Sequence, residues 1–240
     1  MQAKRAYRIG ISGSYGGLNL GDEAILQSVV AQLKRSLPVE ITVFSRDAED
    51  TFKRHPGIER VLPVRDLGRN EVTPEIERLD LLLLGGGGIL FDAEAHIFLR
   101  EVEIALERSV PVMVYAIGAG PLKTPEAQKR VRESLSHADV VTVREASARK
   151  VLEEIGVKRD IIVTADPAFL LEPEPIPPGM LEREGFHPER RLIGMSVREP
   201  GTAAPDISED IYHGLLANAA DYMAERFDAD IVLVPMEPRM

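Results

Sequence analysis

Short aliphatic runs alternate with amphipathic stretches of helical length along the chain. Arg8 to Ser12 reads as a strand, followed by a glycine-rich loop and a helix over about Asp22–Ser36. In that helix Ile25, Val29, Leu33 and Leu37 recur at every fourth position, the spacing of one buried helical face. Further strands are predicted at Ile41–Phe44, Arg60–Val64, Asp80–Leu84, Val112–Ile117, Val140–Val143 and Ile161–Thr164. Helices are predicted at Glu94–Arg108, Pro125–His137 and Glu145–Ile155. Strands that are apolar throughout, each followed by a helix, imply a parallel sheet covered on both faces, hence an α/β, Rossmann-like domain over 1–171.

Glu172 to Gly179, EPEPIPPG, holds four prolines in eight residues and reads as a stiff linker within 172–190. Beyond it Leu192–Val197, about Ser208–Phe227 and Asp230–Pro235 read as strand, helix and strand. One such βαβ piece is smaller than an independent α/β domain, so 191–240 is expected to be the start of a second Rossmann-like domain.

Composition narrows the function classes. The formal charge of −10 offers no global field for nucleic acid, so any phosphate must be held by a local cluster of donors. The absence of cysteine excludes disulfides, thiolate metal sites and a cysteine nucleophile. Aromatics make up 5% with no tryptophan, so the core must be aliphatic. No apolar run reaches the length of a signal-peptide core or a membrane span, which makes a soluble cytoplasmic protein the expectation.

In open parallel sheets, ligands collect beyond the carboxyl ends of the strands. The unusual residues fall there: Gly13 to Asp22, Gly85 to Gly88, Gly118 to Pro121, Arg144, Asp166-Pro167, and Arg198 to Gly201. If the strands are parallel, all six segments line one rim. Candidate binding residues are Ser14, Gly17, Asn19, Gly21, Asp22, Gly86, Gly87, Gly88, Arg144, Asp166 and Arg198. The first loop has neither the GxGxxG nor the GxxxxGK[ST] spacing. Asp22 reads either as a helix N-cap or as a partner for a sugar hydroxyl. Arg144 ends an apolar strand, where a guanidinium can grip a phosphate or carboxylate bidentately. The plainer alternative is an ion pair with Glu145 or Asp166. His55, His96, His137, His187 and His213 are scattered without metal-ligand spacing, though His96 lies close behind the four glycines. Asp47, Glu49 and Asp50 read as a solvated helix start.

Asn19-Leu20-Gly21-Asp22-Glu23-Ala24-Ile25-Leu26 resembles the N-terminal signature of the polysaccharide pyruvyltransferases. Gly85 to Asp92, Ile117 to Leu122, Val143-Arg144-Glu145 with Ser147, Ala165 to Leu171, Ile193 to Arg198 and Val232 to Met236 resemble later blocks of that family in the same order. The resemblance implies a glycosyltransferase-B-like architecture and transfer of a carboxyethylidene group from phosphoenolpyruvate to two hydroxyls of one sugar. The acceptor would be a cell-wall polymer or exopolysaccharide precursor, in some members lipid-linked, with membrane contact at most peripheral. The scheme needs no cofactor and no metal. It would use Arg144 for the donor anion, Asp22 and Asn19 for hydroxyls, the glycine loops for amides and Arg198 as a second-domain contact.

Where the family commonly has Asp after the central Arg, this chain has Glu145. The family's C-terminal Arg-Leu-His-type block has no counterpart among the five histidines. No catalytic histidine is therefore assigned, and these 240 residues alone are expected to be inactive. The competing readings are a nucleotide-sugar glycosyltransferase of the same architecture and a truncated, non-catalytic relative that binds a saccharide or an anion.

Overall fold

A computed structural model describes residues 5–187, 189–199 and 207–236. The chain divides into two compact units, Met1–Leu171 and Glu172–Met240. Seven strands build the first: β1 (Tyr7–Ser12), β2 (Val39–Ser45), β3 (Arg60–Pro63), β4 (Leu81–Gly85), β5 (Val112–Ile117), β6 (Val140–Val143) and β7 (Ile161–Val163). They form one sheet in the order β3-β2-β1-β4-β5-β6-β7, with every neighbouring pair parallel. The order reverses between β1 and β4, where Ser12 pairs with Leu84. Such a reversal opens a crevice at the carboxyl ends of the strands, because the two flanking connections leave to opposite faces.

Helices α1 (Leu20–Ser36), α2 (Ala48–Arg54), α3 (Arg69–Glu77), α4 (Ala95–Glu107), α5 (Pro125–His137) and α6 (Ala146–Glu154) complete this unit. The period-2 geometry of β4 divides its leucines between the two faces. Leu82 and Leu84 join the core under α3, α4 and α5, whereas Leu83 joins Ile9, Ile11, Ile41 and Val43 under α1. Both faces are thus covered, and a strand that is apolar at every position is what that burial requires. Of the aliphatic spacing predicted for α1, Ile25 and Val29 are fully in the core, Leu33 packs at its edge and Leu37 lies exposed beyond the helix end.

Two helices were not expected over their full length. The Asp47 cluster does start a helix, with the Asp47 side chain accepting from the Asp50 amide, but no apolar stripe marks α2. In α3, Pro74 reads as a breaker in sequence. Val72 and Ile76, at i and i+4, are nonetheless fully buried, and their packing decides the local structure.

The second unit pairs β8 (Arg191–Met195) in parallel with β9 (Ala229–Leu233), joined by α8 (Glu209–Phe227). None of the α8 residues is buried. The proline-rich stretch is irregular up to Pro178, but the segment expected to be wholly linker carries a helical turn, α7 (Met180–Arg183).

Candidate functional site

Five of the six special segments leave the carboxyl edge of the seven-stranded sheet. The sixth, Arg198, follows β8 in the separate two-stranded sheet of the second unit. There the Arg198 carbonyl accepts from the Tyr212 hydroxyl, and Glu199 pairs with His213. Pro200 and Gly201 lie outside the described residues.

The first loop and the four-glycine loop flank the β1/β4 crevice. A Cβ on Gly13 would sit 2.0 Å from the Gly85 carbonyl oxygen, so only glycine lets the two backbones approach this closely. Helix α1 begins at Leu20, two residues before the sequence suggested. Its N-cap is Asn19, whose Oδ1 accepts from the amides of Gly21 (2.9 Å) and Asp22 (3.3 Å). Asp22 is therefore not the cap: with Asn19 capping, it lies inside the first turn, three positions into the helix. The same bonds occupy two of the free amides of this helix terminus.

Freed from capping, Asp22 turns toward the crevice. Burial holds its pKa above the ordinary carboxylate range, opposed by the nearby Ser14 hydroxyl, Arg144 and Arg46. Gly87 faces it at φ +60°, where a Cβ would stand 2.6 Å from Asp22 Oδ1. Gly86 also has positive φ (+94°) and packs on the Tyr15 ring. The amides of Gly87 and Gly88 donate to no acceptor among the described residues, while the Gly87 carbonyl accepts from Gly118.

Arg144 lies across the rim from Asp22. The ion pair named as its plainer alternative forms, and with both candidates: Nε meets Glu145 Oε2 at 2.9 Å and Nη1 meets Asp166 Oδ2 at 3.0 Å. Its Nη2 faces Gly88, where a Cβ would lie 3.6 Å away, and donates to no acceptor among the described residues. Two carboxylates thus orient the guanidinium and leave one N–H edge open. Asp166 reaches it because the chain beyond β7 turns back to α1: Ser28 Oγ donates to the Pro167 carbonyl at 2.6 Å, and Pro167 is buried.

The first loop has its own brace. Glu23, buried in the first turns of α1, accepts from the Gly16 amide at 2.9 Å and meets His55 Nε2 at 2.8 Å. Gly17 packs beneath Arg46, which the sequence reading missed along with Arg65 and Arg100. These three and His96 line a cavity of about 370 Å³ beside Ser12 and Gly13. Each follows a strand or sits on α4, and a basic residue at a strand end was the available signal. Among the described residues no three of His, Asp or Glu converge as a metal site, and no helix is long and apolar enough to cross a membrane.

A parallel sheet with a reversed strand order and a polar crevice at its carboxyl edge defines an α/β protein of Rossmann-like type. Similar solved structures carry the same fold. A putative UDP-N-acetylglucosamine 2-epimerase from Listeria monocytogenes superposes with a TM-score of 0.57 at 16% identity, over 95% of this chain and 62% of that one. UDP-GlcNAc 2-epimerases from Neisseria meningitidis and Methanocaldococcus jannaschii both give 0.58 at 12% identity, covering 95% and 94% of this chain and 64% and 65% of theirs. The chain thus spans less than two thirds of the length of these structures. The glycosyltransferase-B-like fold expected from the resemblance holds. No match is found among curated proteins. The sequence model of the polysaccharide pyruvyl transferase family matches residues 19–240, and the chain belongs to that family.

Proposed function

We propose that the protein transfers a carboxyethylidene group from phosphoenolpyruvate to two hydroxyls of one sugar in a polysaccharide or cell-wall polymer precursor, which is lipid-linked in one version of this reading. Family membership supports pyruvyl transfer to a saccharide. The observation that carries the assignment to this rim is the convergence of Asp22, Gly87, Gly88 and the oriented guanidinium of Arg144 at the β1/β4 crevice.

The chemistry sets the roles. Protonation of the enol methylene carbon leaves a cationic centre at the ester carbon, which a sugar hydroxyl attacks with loss of its proton. Departure of inorganic phosphate, followed by attack of the neighbouring hydroxyl, closes the ketal. The donor is an anion throughout, so fixed donors aimed at it lower the barrier. Arg144 Nη2 and the open amides of Gly87 and Gly88 provide such donors. Asp22, whose burial raises its pKa and so makes its carboxylate the stronger base, accepts the proton of the attacking sugar hydroxyl. A nucleotide-sugar glycosyltransferase, the competing reading, gains no support from the family match. The test is incubation with phosphoenolpyruvate and a panel of saccharide acceptors, scoring phosphate release and acceptor mass. Arg144→Ala is expected to abolish donor use, and undiminished release in that variant would remove its assigned role.

A further inference from the structure

We infer that the cavity between the first loop and α4 is a phosphoryl-anion subsite whose principal ligands are Arg46 and Arg65. The inference rests on the reading above only for the source of the phosphoryl group.

The cavity's charges divide into those that cancel and those that do not. Arg100 is spent on structure: Nη2 lies 2.7 Å from Glu101 Oε1, and Nη2 and Nη1 donate to the carbonyls of Val64 (2.8 Å) and Leu67 (3.1 Å). It thereby pins the turn that carries Arg65 against α4. Arg130 is held bidentately by Glu103. Arg46 and Arg65 differ from both, since neither guanidinium has a hydrogen bond or ion pair among the described residues. They line the same 370 Å³ space. Burial and the charges of Arg46 and Arg100 depress the Arg65 pKa, against the pull of Glu94 and Glu101.

Two like charges at one cavity, neither hydrogen-bonded nor ion-paired among the described residues, are relieved most by one ligand carrying two negative charges. A phosphate monoester or diphosphate meets that requirement, and its tetrahedral oxygens suit two guanidinium forks. A monocarboxylate would leave one cation unmatched. The remaining wall supplies the Gly13 backbone and His96, together with Glu101, whose carboxylate is occupied by Arg100 and the Ser12 hydroxyl. In a chain with a net charge of −10, Arg46 and Arg65 face one cavity with no carboxylate bonded to either among the described residues, whereas Arg5, Arg60, Arg69 and Arg130 each meet one. Both places stand at the same sheet edge, and Arg46 is shared, being also among the charges acting on Asp22.

Calorimetric titration of the full chain with inorganic phosphate, pyrophosphate, phosphoenolpyruvate and a hexose 1-diphosphate tests the inference. At least one is expected to bind at one per chain, with affinity falling as salt rises. The double substitution Arg46→Ala/Arg65→Ala is expected to weaken that binding at least tenfold, while Arg149→Ala/Lys150→Ala, which removes the same two charges from exposed helix pairs, changes it less than twofold. Loss confined to phosphoenolpyruvate assigns the site to the donor's phosphate, and loss confined to the diphosphates assigns it to an acceptor's diphosphate. Absence of binding by all four ligands, or equal binding by the double variant, overturns the inference. Phosphoryl binding that depends on the two arginines, in a protein that never alters a sugar, would uphold this subsite and defeat the pyruvyl-transfer reading.

Discussion

Replacing Glu23 by alanine should cost the first unit a large part of its stability, although Glu23 touches no ligand in the proposed reaction. The carboxylate is 5% exposed and His55 is 6% exposed, so neither can exchange its lost partner for bulk water. Alanine removes the acceptor of the Gly16 amide, at 2.9 Å, and the partner of His55 Nε2, at 2.8 Å. Each buried polar group left unsatisfied costs about 1–3 kcal/mol. Two such groups reach the ~3–5 kcal/mol typical of breaking a buried pair from one side. Against the ~5–15 kcal/mol of a whole domain this is a large fraction. With a urea dependence of about 2–3 kcal/mol per molar, the midpoint should fall by ~1–2 M. Glu23→Gln keeps an oxygen for the Gly16 amide and a polar partner for His55, so its loss should be closer to ~1 kcal/mol. Urea unfolding followed by far-ultraviolet circular dichroism reads both variants. A Glu23→Ala midpoint within 0.3 M of the parent (roughly 1 kcal/mol on the same slope), or equal damage from both substitutions, would refute the brace.

Other substitutions separate stability from activity. Tyr15→Phe should leave stability unchanged or raise it, because the Tyr15 hydroxyl is fully buried without a partner. A clear loss on thermal unfolding would show that the hydroxyl has one. Asp22→Asn should stabilise the fold at neutral pH while abolishing turnover. The folded pKa of Asp22 is raised by burial, so its contribution is fully present below the unfolded value and is lost as pH rises through the folded one. The stability difference between variant and parent should therefore grow with pH across that window, and a pH-independent difference would count against the burial argument. Gly87→Ala should cost at least about 1 kcal/mol from its left-handed backbone. Its Cβ would also displace the Asp22 carboxylate, lowering activity beyond the stability loss, which kinetics at a temperature well below unfolding can isolate.

The sheet was legible because its signal is physical. A run such as Leu81 to Leu84 has no polar face, and a strand of that kind survives only with both faces covered, as β4 is. Helix boundaries were legible where periodicity reached the end, as in α5, and failed where a cap intervened. Asn19 starts the helix before Asp22, and nothing in the pattern of apolar residues ranks two capping residues three positions apart. No element is predicted over α3, whose Pro74 opposes a helix locally and whose packing of Val72 and Ile76 only the fold reveals.

The rim showed a similar division. The two glycine loops were found from composition and meet because β1 pairs with β4. The pairing of Arg144 with both carboxylates depended on the chain turning back after β7, a tertiary event. Arg46 and Arg65 escaped notice because single arginines after strands are ordinary, and only the cavity shows that they lack partners.

The most direct test of the account is the reaction itself. The longest natural form of the protein, given phosphoenolpyruvate and a panel of sugar glycosides and lipid-linked saccharides, should release phosphate in equal amount with acceptor gaining one carboxyethylidene mass. Both signals should vanish in Asp22→Asn and in Arg144→Ala. No mass gain on any saccharide, or the same gain in both variants as in the parent, would contradict the claim that this rim carries pyruvyl transfer.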